Sequence, residues 1–492
     1  MNQYITAIVL AAGMGRRMHS SLPKSLHPVA GQPILSRILK TLKQTGVNEI
    51  RLVINKEHKE LMQPIADVFR AKMYFQGEKK GTAIAVLSAQ IDELTGHVLI
   101  VNGDHPLISV SDLKNIIDTG QKKSVDLCVG SCVKKDPGDY GRIIRQGKNI
   151  VAIVEKDSLP PEWEKVTEIN AGIYLVKSEC LKAYLYRTDM EFTPSALRSP
   201  LVGSLQKPQS LNKINTPRIK NQNPKREYGF TNIVSIAIEE GKKVITCLVS
   251  EDSAFGTNTQ RELAFATKKI FTRKLNQLMS QGVIIVDPLN TYIEESVQVG
   301  QGCVIYPGVY LKGRTSIAPF CAIETNSFIT DSVIHQFVLI RSGSYIESAE
   351  VGNQSVIGPY ARLRPGTKIG EQCRVGNFVE MKKTHFGARS KASHLSYLGD
   401  AEVGEEVNIG CGTVTCNLNI DGKKYVTRIG DKVFVGSGTK IVAPVQVGDE
   451  AATGAGSVIT KDVPSQALAI GRSSQNNKEN YFKPRKVSKH EN

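Results

Sequence analysis

Long apolar runs are missing from this sequence: no stretch approaches the roughly 18 residues that a membrane-spanning helix needs, so no membrane partner is expected. The first apolar segment, residues 5–12, is short and runs into a Gly turn, without the charged leader or small-residue cleavage pattern of a secretory signal. Cysteine is scarce as well. The nine present are odd in number, scattered and free of CxxC pairs, which argues against a disulfide framework and against a zinc site and fits a reducing, cytoplasmic setting. Acidic residues are in deficit, 47 Asp and Glu against 63 Lys and Arg, leaving a net charge of +16. Such a balance suits either nucleic acid or a set of anionic phosphate substrates. No recognisable nucleic-acid module is present, and the densest basic stretches are a loop and the tail, so small phosphorylated molecules rather than nucleic acid are the expected partners.

What is there divides into two halves. A chain of 492 residues exceeds the size at which single cores stop growing, about 250–300 residues. With 40% apolar and 22% charged residues it has a soluble globular composition. From Tyr4 to about Gly256, short β-branched runs at 5–10, 50–54 and 98–101 alternate with helical patterns such as 34–42, the α/β signature of a mostly parallel sheet with helices on its faces. Residues 261–281 form a charged amphipathic stretch with Phe271, Leu275 and Leu278 on one face and Gly282 as a stop, which predicts a linking helix. Beyond Gly282 a six-residue period takes over. It reads Val299, Ile305, Leu311, Ile317, Ile323 and Ile329, then in a second phase Val351, Ile357, Leu363, Ile369, Val375 and Met381, and in a third Ile429, Val435, Ile441, Val447, Thr453 and Ile459. Hexapeptide repeats of this length predict a parallel β-helix; the period leaves its hand open. The expected organisation is therefore 1–260, a linker helix at 261–282, a coil at 283–472 and a polar, basic tail at 473–492. Residues 192–226, whose charges are all basic, read as a long loop or insertion.

Three places carry chemistry. Residues 10–18, LAAGMGRRM, run from a strand into a Gly-rich turn ahead of Pro23-Lys24. Glycines let the backbone approach a polyphosphate, and Arg and Lys neutralise its charge. The spacing is neither the GxGxxG of dinucleotide folds nor a P-loop. The strand at 98–101 ends in Asn102-Gly103-Asp104, which puts a carboxylate at the sheet edge where open α/β sheets bind ligands; a hard cation such as Mg²⁺ uses such oxygens together with substrate phosphates. A strand-end Asp also commonly caps a turn. In the coil, YARLRPG (360–366), VGNFVEMKK (375–383) and KASHLSYLGD (391–400) interrupt the hexapeptide phase with basic, His and Tyr residues that packing does not need. A His placed among such residues can act as a general base near neutral pH. Cys411 and Cys416 are expected to be small buried hydrophobes, as free cysteines commonly are.

Through these motifs the chain resembles, over nearly its whole length, the bifunctional N-acetylglucosamine-1-phosphate uridylyltransferase and glucosamine-1-phosphate N-acetyltransferase family. The motifs are LAAGxGxRM at 10–18, PKxLH at 23–27, QxExxGTA at 76–83, GDxPLI at 103–108, YGRI at 140–143, Glu155 and EIN at 168–170. The resemblance implies a Rossmann-like nucleotidyltransferase domain followed by a left-handed parallel β-helix. It implies UTP and acetyl-CoA as co-substrates, Mg²⁺ as cofactor, and a homotrimer whose neighbouring coils share the acetyl site. By the same resemblance Leu10, Ala12, Gly13, Gln76, Gly81 and Thr82 hold the nucleotide, with catalytic Lys24 on its phosphates. Thr82, Gly141, Glu155, Asn170 and Asn258 surround the sugar phosphate, and Asp104 and Asn258 bind Mg²⁺. In the coil, Arg364, Lys382, Tyr397, Asn408 and Lys424 hold a second sugar phosphate, His394 is the base, and Asn417, Ser437, Ala455 and Arg472 bind acetyl-CoA. The sequence departs from the family pattern at Arg16, at Lys79 and Lys80, at Asn102, around Asn258 (GTNTQ), and at 415–422, where TCNLNIDG loses an aromatic and gains a residue before Lys423-Lys424. The last departure raises an alternative, a uridylyltransferase whose coil only assembles the trimer.

Overall fold

The computed structural model describes residues 4–78, 81–122, 124–190, 229–479 and 481–482; the expected insertion at 192–226, Lys79 and Lys80, and residues 483–492 of the tail lie outside them. Two compact units divide between Ile270 and Phe271, inside one helix.

The first unit alternates strands and helices as β1 (Ile5–Leu10), α1 (Ile34–Thr45), β2 (Glu49–Asn55), α2 (Lys59–Phe69), β3 (Lys72–Gln76), α3 (Thr82–Leu87), β4 (His97–Asn102), α4 (Val110–Lys122) and β5 (Leu127–Val133). It continues with β6 (Arg142–Gln146), β7 (Asn149–Val154), β8 (Glu168–Lys177), α5 (Ser178–Met190), α6 (Asn232–Glu239) and β9 (Val244–Leu248). The sheet order is β9-β5-β8-β4-β1-β2-β3. Within it β8 alone runs antiparallel to its neighbours, and the β6–β7 hairpin hangs off β8. Strands covered on both faces read as unbroken apolar runs, and Ala7, Ile8 and Val9 of β1 are fully buried. Ile8, Val98, Ile100, Val129, Tyr174 and Val176 share one core with Phe230.

The sheet's register creates the functional edge. Leu10 pairs with Asn102, and Gly103 N–H donates to Leu10 O at 2.8 Å. A Cβ on Gly103 would lie 2.8 Å from that oxygen, so this crossing demands glycine. The turn after β1 and the carboxylate after β4 are thereby held side by side at the strands' C-terminal ends.

Helix α7 (Gln260–Ser280) follows. Its Leu275 and Leu278 belong to the core of the coil, and it stops at Gly282, whose φ of +86° lets Val283 N–H return to Leu278 O at 3.1 Å.

The second unit is a parallel β-helix of short strands, most of them two or three residues long, stacked into a 19-stranded and a 9-stranded sheet. The aliphatic residues of all three phases point inward: Ile305, Leu311, Ile323, Leu363, Val375, Met381, Val435 and Ile441 are fully buried, and only Val299, in the first rungs, is partly covered. The structure also explains why the phase shifts. Ile305 stacks on Ile323, a spacing of three hexads, but Ile323 stacks on Ile340 and Ile340 on Ile357 one residue sooner, so the sequence slips while the stack stays in line. Two longer strands, Arg374–Lys382 and Lys391–Gly399, run on through a corner that elsewhere separates short strands, pairing Asn377 with His394 and Glu380 with Tyr397. The nine cysteines are all free. Contrary to expectation Cys411 is exposed and Cys416 only half-buried, because Cys411 stands on an outward corner of the coil. Among the described residues no helix is long and apolar enough to cross a membrane.

Candidate functional sites

In the first unit Lys24 opens a short 3₁₀ turn (Lys24–Leu26) beneath the Gly-rich loop. Its Nζ donates to Asn258 Oδ1 at 2.7 Å and pairs with Asp104 Oδ2. The two oxygens assigned by resemblance to one cation thus converge on one ammonium. Burial alone would raise the pKa of Asp104; the neighbouring Lys24 and His105 outweigh it and hold the carboxyl below its ordinary value. Asp104 Oδ1 is buried without a hydrogen-bond partner. Among the described residues no group of three or more His, Cys, Asp or Glu could hold a metal, so a cation here would depend on one carboxylate, one amide oxygen and substrate phosphates, the donor set a hard divalent ion accepts.

Asn258 is placed by local chemistry that a motif comparison passes over. Thr259 and Glu262 form a capping box at the start of α7: Glu262 Oε2 accepts the N–H of Asn258 at 2.6 Å and of Thr259 at 2.8 Å, and Thr259 Oγ1 accepts Glu262 N–H at 3.2 Å. Thr257 N–H and Oγ1 both donate to the backbone oxygen of Asp104, at 2.9 and 3.0 Å. Asp112, at the start of α4, accepts the hydroxyls of Ser250 and Ser253 at 2.6 Å each. Glu262→Ala should therefore cost about 1 kcal/mol in urea unfolding, the usual worth of such a cap. It should also raise the divalent-ion concentration needed for half-maximal activity; an unchanged ion requirement would contradict this placement of Asn258.

The remaining residues of this unit fall around that edge. Leu10 ends β1; Ala12 follows it, and a Cβ at Gly13 would meet nothing within 4 Å, so the turn's backbone is open to a ligand. Gln76 ends β3 and donates to Gly81 O at 3.4 Å, while Thr82 Oγ1 accepts Phe230 N–H at 2.8 Å. Gly141 O accepts Asn170 N–H at 2.9 Å, and a Cβ on Gly141 would lie 3.0 Å from Glu155 Oε2, so these three adjoin. Asn170 is fixed at both ends of its amide, donating to Tyr174 OH at 2.6 Å and accepting Gly172 N–H at 3.1 Å.

In the second unit His394 is exposed, and its Nδ1 lies 3.1 Å from Asn377 Oδ1 on the coil below. An amide oxygen only accepts, so Nδ1 carries the hydrogen in this contact, and in the neutral ring the lone pair is then on Nε2. Asn377 is a residue the motifs contain without marking. Backbone hydrogen bonds carry the same corner upward: Gly412 N–H to Leu395 O at 2.7 Å, Gly438 N–H to Cys411 O at 2.6 Å, Gly456 N–H to Ser437 O at 2.8 Å. His394, Cys411, Ser437 and Ala455 therefore occupy one column. A Cβ on Gly456 would sit 3.8 Å from Arg472 Cδ, which brings Arg472 to its top.

Beside this column Arg364 pairs with Glu380 at 2.8 Å, with Tyr397 next to Glu380 in register; Asn408 is exposed beside Lys391 one coil lower. Lys382 and Lys424 meet side chain to side chain, and the contact with Lys424 lowers the pKa of Lys382. Two ammonium groups brought together in this way form a place for an anion. Lys424 reaches it because the altered segment closes as a hairpin: Leu418 bridges Lys424, Asn419 N–H donates to Lys423 O at 2.9 Å, and Tyr425 OH donates to Asp421 at 2.7 Å. The extra residue is absorbed at the exposed tip around Ile420, while Asn417 at the base donates to Asp400.

Three family models match the chain: a MobA-like NTP transferase domain over 7–164, a GMPPB C-terminal domain over 288–384 and a bacterial transferase hexapeptide (six repeats) over 427–461. The protein named Bifunctional protein GlmU in Bdellovibrio bacteriovorus is 46% identical, the match covering 97% of each chain. Its namesake in Carboxydothermus hydrogenoformans is 40% identical over 97% of this chain and 99% of the relative. That of Trichlorobacter lovleyi is 38% identical over 96% of each.

Proposed function

Because the chain belongs to the GlmU family, whose members join a nucleotidyltransferase domain to a hexapeptide acetyltransferase domain in a left-handed β-helix, we propose that it makes UDP-N-acetylglucosamine in two steps. Acetyl-CoA acetylates glucosamine 1-phosphate on the coil. UMP then passes from UTP to N-acetylglucosamine 1-phosphate in the first unit, with release of pyrophosphate. The observation that supports the acetylating half is that Lys382 and Lys424 stand side by side, a pairing of like charges that assembly of the coil does not need. A coil kept only for assembly is accordingly not favoured.

On the coil, Arg364, Lys382 and Lys424 hold the phosphate of the sugar, with Tyr397 and Asn408 on the ring. Nε2 of His394 takes a proton from the substrate ammonium. The freed amine attacks the thioester carbonyl, forming the C–N bond; the C–S bond breaks, and the departing thiolate of CoA takes the proton that the new amide nitrogen gives up. Asn377 holds the imidazole in the tautomer this needs. Asn417, Ser437, Ala455 and Arg472 seat acetyl-CoA along the column above.

In the first unit Leu10, Ala12, Gly13, Gln76 and Gly81 seat the nucleotide, and Thr82, Gly141, Glu155 and Asn170 the acceptor sugar. Mg²⁺, held by Asp104 and Asn258, would supply neutralisation of the triphosphate charge. Lys24 turns its ammonium to the phosphates, and the acceptor's own phosphate oxygen attacks the α-phosphorus, so no protein nucleophile is required. Separate assays on the purified chain, CoA release with glucosamine 1-phosphate and pyrophosphate release with UTP, test the two halves; absence of either activity removes that half.

The working division is residues 1–260 for uridylyl transfer and 283–472 for acetylation, in the cytoplasm and as a homotrimer. The trimer is supported by a ladder of exposed apolar side chains, Tyr360 stacked on Phe378 at 5.8 Å with Leu395 above, next to His394. Phe378→Asp should convert the assembly to monomers in sedimentation velocity and cost acetylation at least about tenfold, uridylyl transfer persisting. A trimer of unchanged stability would remove this ladder from the interface.

A further inference from the structure

Arg142 opens β6 and takes no part in the steps above. Only 2% of it is exposed, and among the described residues no carboxylate pairs with its guanidinium. What the head group meets is backbone. Nη1 donates to Pro137 O at 3.4 Å and to Tyr140 O, and Nη2 donates to Gly138 O at 2.9 Å. These carbonyls belong to a single turn, closed by Tyr140 N–H on Pro137 O at 3.2 Å and by Gly138 N–H on Asp136 Oδ1 at 3.1 Å. The rigid fork of a guanidinium serves several acceptors at fixed angles, which the point charge of an ammonium does not. The turn is thus wound on Arg142 with its carbonyls drawn inward.

Such an arrangement is costly. A charge is taken out of water without a counter-ion, and Nε is buried with no hydrogen-bond partner. Turns of four residues close without such help, so packing alone does not call for it, and local costs of this kind gather where a site requires them. What the turn leads into is the acceptor side of the first site. Gly141 follows it directly: its O accepts Asn170 N–H at 2.9 Å, and a Cβ there would lie 3.0 Å from Glu155 Oε2. Its own N–H bonds to no group among the described residues, which leaves a backbone donor for a ligand beside those two side chains.

We propose that Arg142 is a positioning residue of uridylyl transfer: by holding the 137–140 turn it sets Gly141 against Glu155 and Asn170 and so shapes the place of the acceptor sugar phosphate. It touches no reacting atom itself. The inference rests on the reading that Gly141, Glu155 and Asn170 receive the acceptor sugar.

The test measures pyrophosphate release by the full chain while N-acetylglucosamine 1-phosphate and UTP are varied in turn, in the wild type, Arg142→Ala and Arg142→Lys. Arg142→Ala should raise KM for the sugar phosphate about 10–100-fold, the order of loss when a positioned group shifts by about 1 Å, with KM for UTP near the wild-type value. Millimolar guanidinium should bring the raised KM back toward normal by refilling the place of the head group, and millimolar ammonium should not. Arg142→Lys keeps the charge without the fork and should show the same selective rise, which answers the question if the alanine variant does not fold. A merely structural arginine would instead raise both KM values together, give no recovery with guanidinium, or leave even the lysine variant unfolded. Any of these, or a wild-type KM in a folded variant, overturns the inference alone. Glu155→Ala with an unchanged KM for the sugar phosphate overturns it together with the reading on which it rests.

Discussion

Lys24→Ala is expected to slow uridylyl transfer about 10²–10³-fold, the effect of removing one pre-positioned charge from a developing phosphoryl transition state. Acetyl transfer should continue at the wild-type rate. The size follows from position: Lys24 is largely buried and its ammonium already engages Asp104 Oδ2 and Asn258 Oδ1. Asp104→Ala should be at least as damaging, because it removes the carboxylate that pairs with the ammonium and that is proposed to hold the cation. Pyrophosphate release at saturating UTP checks both, and near-wild-type rates would move the site elsewhere. The pair also has a stability signature. Since the folded-state pKa of Asp104 is held below its unfolded value, the pair's contribution is present at neutral pH and lost as pH falls through the lowered folded value. In Lys24→Ala that acid-side loss should shrink, because burial then holds the carboxyl up.

His394→Ala should cost acetyl transfer about 10²–10⁴-fold, the usual worth of a positioned general base, and leave uridylyl transfer unchanged, since sites without shared partners rarely couple. Asn377→Ala should produce a smaller loss, about tenfold, by freeing the imidazole to adopt its other tautomer. The rise of acetylation rate with pH distinguishes a base from a merely structural histidine: it should be present in the wild type and absent in His394→Ala. The same rise in both would assign it to the titration of the substrate amine.

The hexapeptide columns were legible because every sixth residue is buried, and the α/β half because its central strands are covered on both faces. The slips between columns were not, since a shorter coil is seen only when Ile323 and Ile340 are found stacked. The same holds for the sites. Lys24 and Asp104 announce themselves in local motifs, but Asn377 meets His394 only through strand register, and Arg142 stands unassigned within YGRI, its meaning plain only once the turn at 137–140 is seen to close on it. The capping box at Thr259 and Glu262 was visible in the sequence, four letters that fix Asn258 despite its loose surrounding motif. At TCNLNIDG the sequence left the position of Lys424 open for a physical reason: whether an extra residue displaces it depends on pairing across the hairpin, which the linear order does not display.

That hairpin has a further bearing on how such a coil changes over time. In a stacked solenoid each layer sits on the one before; a coil here gives up one residue and stays in line, as between Ile323 and Ile340, but a larger excursion has to leave the stack. Here Val414–Cys416 stacks directly on Lys440–Val442 and Ala401–Val403 on Thr427–Ile429, so the excursion between them occupies no layer. Residues can be gained or lost at its tip while Ser437, Ala455 and Arg472 keep their alignment with His394, making this a point where the chain tolerates drift in length without surrendering its geometry.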